Sequence, residues 1–384
     1  SAASDVYKRQ TTVCVAATLG LLTSCGTQTA PERTYNEGIN IIPMPASLQQ
    51  QEGRFLLSSS SSFYAPTPEA KTIAEFFAAK LKNSTGFNFA IADAEKDGGI
   101  SLLIDPAMEI NEEGYRLDVT PQGVKIQAKT PQGVFYGMQS FLQLLPAEVE
   151  SPSVVKNIEW SAPCVSIDDA PRFAYRGMML DPCRHFIPVE NVKKQLDVLS
   201  LFKINTFHWH LTENQAWRLE SKIFPMLNDS ANMTRMAGKY YTLEEARELT
   251  EFCKAHQVLL IPEIDMPGHS AAFIRTFRHD MQSPEGMKIL KLLLDEICET
   301  FDVPYLHIGT DEVHFTNPQF VPEMVAYIRD KGKKVISWNP GWKYKTGEID
   351  MMQLWSYRGK AQQGIPAIDS RFHCLLYTSP SPRD

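Results

Sequence analysis

The order of apolar and polar residues changes character once along the chain, and that change divides it. From about Ile41 to Ser166, runs rich in Val, Ile and Phe alternate with polar positions over Gly53–Leu57, Ile100–Ile104, Tyr115–Val119 and Gly123–Ala128. A period of two belongs to strands with one buried face. Between them, Glu69–Leu81 carries Ile73, Phe76, Phe77 and Leu81 at helical spacing. Thr130–Leu145 repeats that period through Val134, Met138, Phe141 and Leu144. The pattern predicts a small α+β domain over 41–166, and no catalytic constellation falls within it.

From Arg172 onward strands and helices alternate regularly. Strand-like runs cover Tyr175–Asp181, Ile204–Leu211, Val258–Asp265, Tyr305–Thr310, Lys334–Trp338 and Met351–Trp355. Helix starts are marked between them: Thr242 with Glu245 forms a capping box, and Ser283-Pro284 and Asn317-Pro318 place a cap residue before a proline, with Gly332 able to close the last helix. Such alternation specifies a parallel sheet with helical crossovers. Six strands in 167–373 predict an α/β fold, a (β/α)8 TIM barrel truncated after about six strands.

Composition and the chain ends narrow the setting. A formal net charge of -7 disfavours nucleic-acid and anionic-membrane partners. Seven cysteines without a Cys-x-x-Cys pair specify neither a metal nor a disulfide framework. Residues 1–10 and 374–384 resemble in-frame translations of a transposon-type sequencing adaptor, so both are set apart from fold reasoning. Segment 11–40 reads as signal and linker: Val13–Leu22 is apolar but too short to span a bilayer, and Leu22-Thr-Ser-Cys25 resembles a bacterial lipoprotein processing site with Cys25 acylated. The expectation is an exported lipoprotein of the periplasm or outer membrane, touching the membrane only through that lipid.

Polar residues gather at the C-terminal ends of the predicted barrel strands, where such barrels carry their chemistry. The first strand brings Arg176, Asp181, Arg184 and His185, and the second His208, His210, Glu213, Asn214 and Gln215. The third brings Glu263, Asp265 and His269, the fourth His307, Asp311 and Glu312, the fifth Trp338 and the sixth Trp355. Carboxyl groups and flat aromatic faces suit glycoside cleavage, which protonates a leaving oxygen and stabilises an oxocarbenium-like carbon. Consecutive strand residues point to opposite faces, so Asp311 and Glu312 can both reach one cleft only where the strand ends. Two close carboxyl groups also drive their pKa values apart.

Four segments carry a resemblance. Tyr175-Arg-Gly-Met-Met-Leu-Asp181, Phe207-His-Trp-His-Leu-Thr-Glu213, Ile261-Pro-Glu-Ile-Asp-Met-Pro-Gly-His269 and His307-Ile-Gly-Thr-Asp-Glu-Val313 are similar to the motifs of family 20 glycoside hydrolases, the β-N-acetylhexosaminidases. The resemblance implies a retaining, substrate-assisted reaction on terminal β-linked N-acetylhexosamine of an oligosaccharide or glycoconjugate, with no cofactor and no metal. It makes Glu312 the general acid/base and Asp311 the acceptor of the acetamido N–H. Arg176 would hold sugar hydroxyls, Trp338 and Trp355 would wall the acetamido pocket, and Asp265, His269 and Glu213 would stand behind them, His269 linking Glu213 to Glu312. Asn214 stands where the family usually has a second acid. The seventh and eighth strands, which supply further pocket residues in the family, are not among the six, so a chain of this extent is expected to be inactive or unstable. Two rival readings remain open: a glycan-binding lipoprotein without catalysis, and a metal-dependent amidohydrolase using His208 and His210.

Overall fold

In the computed structural model, which describes residues 38–371, strong local signals place the helices. Helix α1 (Pro68–Thr85) starts where Thr67 Oγ1 accepts the Ala70 N–H and stops at Gly86, whose left-handed φ of 74° few other residues adopt cheaply. Helix α2 (Pro131–Leu144) is capped the same way by Thr130. Both pack on a seven-stranded mixed sheet of order β1-β7-β5-β6-β4-β2-β3. Its strands are β1 (Ser47–Leu56), β2 (Ser62–Tyr64), β3 (Ala90–Ala92), β4 (Gly99–Ile104), β5 (Tyr115–Thr120), β6 (Gly123–Ala128) and β7 (Ser161–Asp169). Phe55, Phe77, Leu102, Ile126 and Phe141 centre its core. The four strands anticipated from alternation are present. The short β2 and β3, and β7 with Pro163 inside it, carry too little alternation to be read from sequence.

The second layer is a curled, all-parallel sheet whose strands run in sequence order: β8 (Gly177–Leu180), β9 (Thr206–His210), β10 (Leu259–Glu263), β11 (Tyr305–His307), β12 (Lys334–Asn339), β13 (Met351–Leu354) and β14 (Ala367–Asp369). Among the described residues it is an incomplete barrel, as expected, but it holds seven strands rather than six. The seventh, Ala-Ile-Asp, is too short to show a period. Helices α3 (Val189–Leu201), α4 (Leu243–Ala255), α5 (Ala271–Phe277), α6 (Pro284–Thr300) and α7 (Phe320–Asp330) follow successive strands, and their apolar faces meet the sheet in the larger core. The capping box at Thr242 and Glu245 is formed in both directions, and Ser283 caps α6. At α7 the reading shifts. The helix starts at Phe320, after Gln319, while Asn317 Oδ1 accepts the Gln319 N–H in a turn that precedes it.

Register positions the chemistry. Glu263 pairs with His210 on one side and His307 on the other. Paired residues of a parallel sheet face the same way, so these three side chains converge inside the sheet. Cys25, the leader, and both adaptor-like ends lie outside the described residues.

Candidate active site

Strand β11 ends at His307, and the backbone beyond it is strained. Thr310 (φ 81°) and Glu312 (φ 48°) both sit in the left-handed region, which non-glycine residues enter at a cost held by their surroundings. This breaks strand alternation and brings the neighbours Asp311 and Glu312 to one imidazole: His269 Nε2 lies 3.8 Å from Asp311 Oδ1 and 3.5 Å from Glu312 Oε2. The two carboxyl groups differ in setting. Asp311 is 9% exposed, and its Oδ1 accepts no hydrogen bond among the described residues. The side chain of Glu312 is 56% exposed and lines a cavity of about 680 Å3 with Phe315, Pro340, Trp355 and Arg358. Burial pushes the Asp311 carboxyl up to about 6, opposed by His269 and reinforced by the charges of Glu263 and Glu312.

Behind them stands a relay. His269 Nδ1 lies 2.6 Å from Glu213 Oε1, and that hydrogen bond raises the imidazole pKa. Glu213 also accepts from Arg184 Nη2 at 2.8 Å, and Arg184 in turn pairs with Asp181. Asn214 Oδ1 accepts the Ala271 N–H at the start of α5, a local structural task. Asp265 is fully buried, and burial with the charges of Glu263, Asp311 and Glu213 drives its carboxyl well above the usual range. Gly309 makes room for it, since a Cβ there would lie 1.5 Å from Asp265 Oδ1.

Two expected sugar contacts fall elsewhere. Arg176 precedes β8, at the N-terminal end of the sheet and away from the cavity. Its guanidinium bonds Glu113 at 2.7 and 3.2 Å, the Lys203 carbonyl at 2.8 Å and Tyr136 Oη at 3.2 Å, joining the two sheets. Its guanidinium is thus engaged by protein groups and is not among the residues that line the cavity. Arg184, seven residues after β8 begins, is the arginine at the carboxyl end, and strand direction alone distinguishes the two. Trp338 is 3% exposed, its indole N–H donates to Glu263 Oε1 at 2.7 Å, and it is not among the residues that line this cavity. Trp355 does line the cavity, its N–H held by the Pro340 carbonyl. His208 Nε2 and His210 Nδ1 both lie against Glu263 Oε2, at 2.8 and 2.7 Å, and His208, Glu263 and His307, like His210, Glu263 and Asp265, are buried groups close enough together to hold a metal ion. Reading strand ends one at a time did not single out Glu263 or Arg184. The convergence of three histidines on one glutamate becomes visible only with the register.

A half-exposed carboxyl beside a buried carboxylate oxygen that has no hydrogen-bond partner among the described residues, near an aromatic wall, is an arrangement of the glycoside hydrolase class. The chain belongs to glycosyl hydrolase family 20: that family's domain 2 matches residues 38–170, and its catalytic domain matches 173–282. It is 34% identical over 357 residues to the Beta-hexosaminidase of Porphyromonas gingivalis, covering 79% of this chain and 46% of that protein. To the Beta-hexosaminidase of Vibrio furnissii it is 30% identical, covering 72% and 49%. The chain thus spans about half the length of the curated relatives it matches. The family 20 beta-N-acetylhexosaminidase of Streptomyces coelicolor A3(2) superposes with a TM-score of 0.77 at 28% identity, over 86% of this chain and 74% of that one. The exo beta-N-acetylglucosaminidase of Vibrio harveyi, solved with N-acetylglucosamine, gives 0.74 at 26% identity, over 86% and 60%.

Proposed function

We propose that the protein in its complete form hydrolyses terminal, non-reducing β-linked N-acetylhexosamine from oligosaccharides or glycoconjugates, with retention, and that the sugar's own acetamido oxygen is the nucleophile. The observation that carries this reading is Asp311 Oδ1, a buried carboxylate oxygen without a hydrogen-bond partner among the described residues, 3.8 Å from an imidazole nitrogen and adjacent to the half-exposed Glu312. A buried acceptor left unpaired is costly unless a ligand supplies its donor, and the acetamido N–H is such a donor.

In the first step the acetamido carbonyl oxygen bonds to the anomeric carbon, the bond to the leaving oxygen breaks, and Glu312 gives that oxygen its proton. The Asp311 carboxylate holds the N–H and balances the positive charge of the cyclic oxazolinium. In the second step water attacks the anomeric carbon, Glu312 takes its proton, and the ring reopens to the free acetamide. Handing the same carboxyl group both transfers follows from microscopic reversibility. Arg184, carried by Asp181 and Glu213, faces sugar hydroxyls in place of Arg176, since a planar guanidinium suits paired oxygen contacts. Export with lipidation at Cys25 belongs to the same proposal, and its check is incorporation of labelled fatty acid that Cys25→Ala abolishes.

The decisive assay follows release of nitrophenol from a β-N-acetylglucosaminide and the anomer first formed. Progressive fluorination of the acetamido methyl weakens the carbonyl oxygen as a nucleophile, so kcat/KM should fall steeply along that series. A flat series, or an inverted product, rules out the acetamido nucleophile. Glu312→Gln should lower kcat about 100- to 10,000-fold on unactivated glycosides, the range of a lost general acid. Activity abolished by a chelator would instead favour the amidohydrolase reading.

A further inference from the structure

We propose that Glu263, which touches no substrate atom, is a positioning residue for this reaction: its carboxylate holds the strained loop that presents Asp311 and Glu312. The inference rests on the hexosaminidase reading above. Glu263 is 0% exposed and sits at the end of β10. Its Oε1 accepts the Trp338 indole N–H at 2.7 Å and lies 3.2 Å from His307 Nδ1. Its Oε2 lies 2.8 Å from His208 Nε2 and 2.7 Å from His210 Nδ1. One carboxylate therefore gathers side chains from β9, β11 and β12 around β10.

Charge states agree with this geometry. Burial disfavours a charged His210, yet the Glu263 carboxylate outweighs it and raises the imidazole to about 9. Burial opposes the Glu263 charge as well, and the imidazoles, His210 foremost, still hold its carboxyl well below the usual range. Burial lowers His307 to about 4, which leaves it neutral.

Trp338, held by its indole hydrogen bond, and His307, packed against the same carboxylate, both reach the catalytic loop through its first member. The Gly309 N–H donates to His307 Nδ1 at 3.1 Å, and the Gly309 carbonyl accepts the Trp338 main-chain N–H at 2.8 Å and the Ser337 hydroxyl at 2.7 Å. Immediately after Gly309 come Thr310 and Glu312 with positive φ. Strained backbone of this kind persists only when its surroundings over-determine it. A shift of about 1 Å in a reacting group can lower the rate about 100-fold. Glutamine at 263 keeps the shape but turns one acceptor oxygen into an NH2 donor, which must confront either the indole N–H or the two imidazoles.

The test uses the full-length protein on a nitrophenyl β-N-acetylglucosaminide, with thermal unfolding measured in parallel. Glu263→Gln is expected to lower kcat about 10- to 100-fold with KM changed less than about threefold, per folded molecule. Trp338→Phe should lower kcat in the wild-type background and have little further effect beside Glu263→Gln, because both act through one contact. A kcat within about threefold of wild type for folded Glu263→Gln, or two fully additive losses, overturns the proposal. Should Glu263→Gln not fold, Trp338→Phe decides alone: a raised KM at unchanged kcat would mean that the indole touches sugar instead of holding the loop. An inactive wild type sinks the hexosaminidase reading, whereas an active wild type with indifferent variants sinks only this one.

Discussion

Asp311 and Arg176 show how far a single residue's role depends on where the fold delivers it. Asp311 must be ionised to accept the acetamido N–H, and burial has raised it to about 6. The kcat/KM profile should therefore fall below about pH 6, and Asp311→Asn should remove that limb along with most activity. The stability sign follows by linkage. An acid raised from its ordinary 3.8 favours the folded chain at low pH, and that stability is lost as pH climbs from about 4 through about 6. Asp311→Asn should accordingly unfold at a higher temperature than wild type at pH 7, and an unchanged or lower Tm would count against a buried, reluctant carboxylate. Arg176→Ala leaves Glu113 uncompensated between the sheets. Removing one partner of such a pair costs about 3–5 kcal/mol, so Tm should drop on the order of 10 °C while kcat/KM per folded molecule holds. Arg184→Ala should do the reverse, lowering kcat/KM about 10- to 100-fold through a lost charge-assisted contact. Kinetics paired with calorimetry on the two variants separates them.

Among the elements, the helices with polar caps were legible because the capping interaction is local. Thr242 and Glu245 satisfy each other's backbone donors within one turn. Thr242→Ala should destabilise the protein by about 1 kcal/mol, visible as a Tm loss of about 2–4 °C without a change in activity. The helix expected at Asn317 starts at Phe320 instead, because the Asn317 side chain closes its own turn two residues on. Strands β5, β6 and β9 to β13 declared themselves through their apolar runs. The short β2, β3 and β14 did not, since a three-residue strand is defined by the neighbour it pairs with and has no period of its own.

For the molecule as a whole, parallel pairing in strict sequence order makes the cleft. Among the described residues, β8 and β14 each pair on one side only, and the far end of the sheet opens on a cavity of about 690 Å3 bordered by Tyr175, Ile261, Tyr305, Ile336 and Met351. Unpaired strand edges and exposed apolar interior favour association with other chains. The chain is therefore expected to associate with rising concentration and to bind an apolar fluorescent dye. Sedimentation that stays monomeric across the accessible range would show the edges to be protected.

Sequence by itself determined the two-domain order, the strand–helix repeat and the segment carrying Asp311 and Glu312, because periodicity and motifs are written in neighbouring residues. Only the tertiary structure decided that Arg176 pairs with Glu113, that the Trp338 indole N–H donates to Glu263, and that Glu263 gathers side chains from three neighbouring strands. Those facts depend on strand direction and register, which bring residues tens of positions apart within about 3 Å of one another.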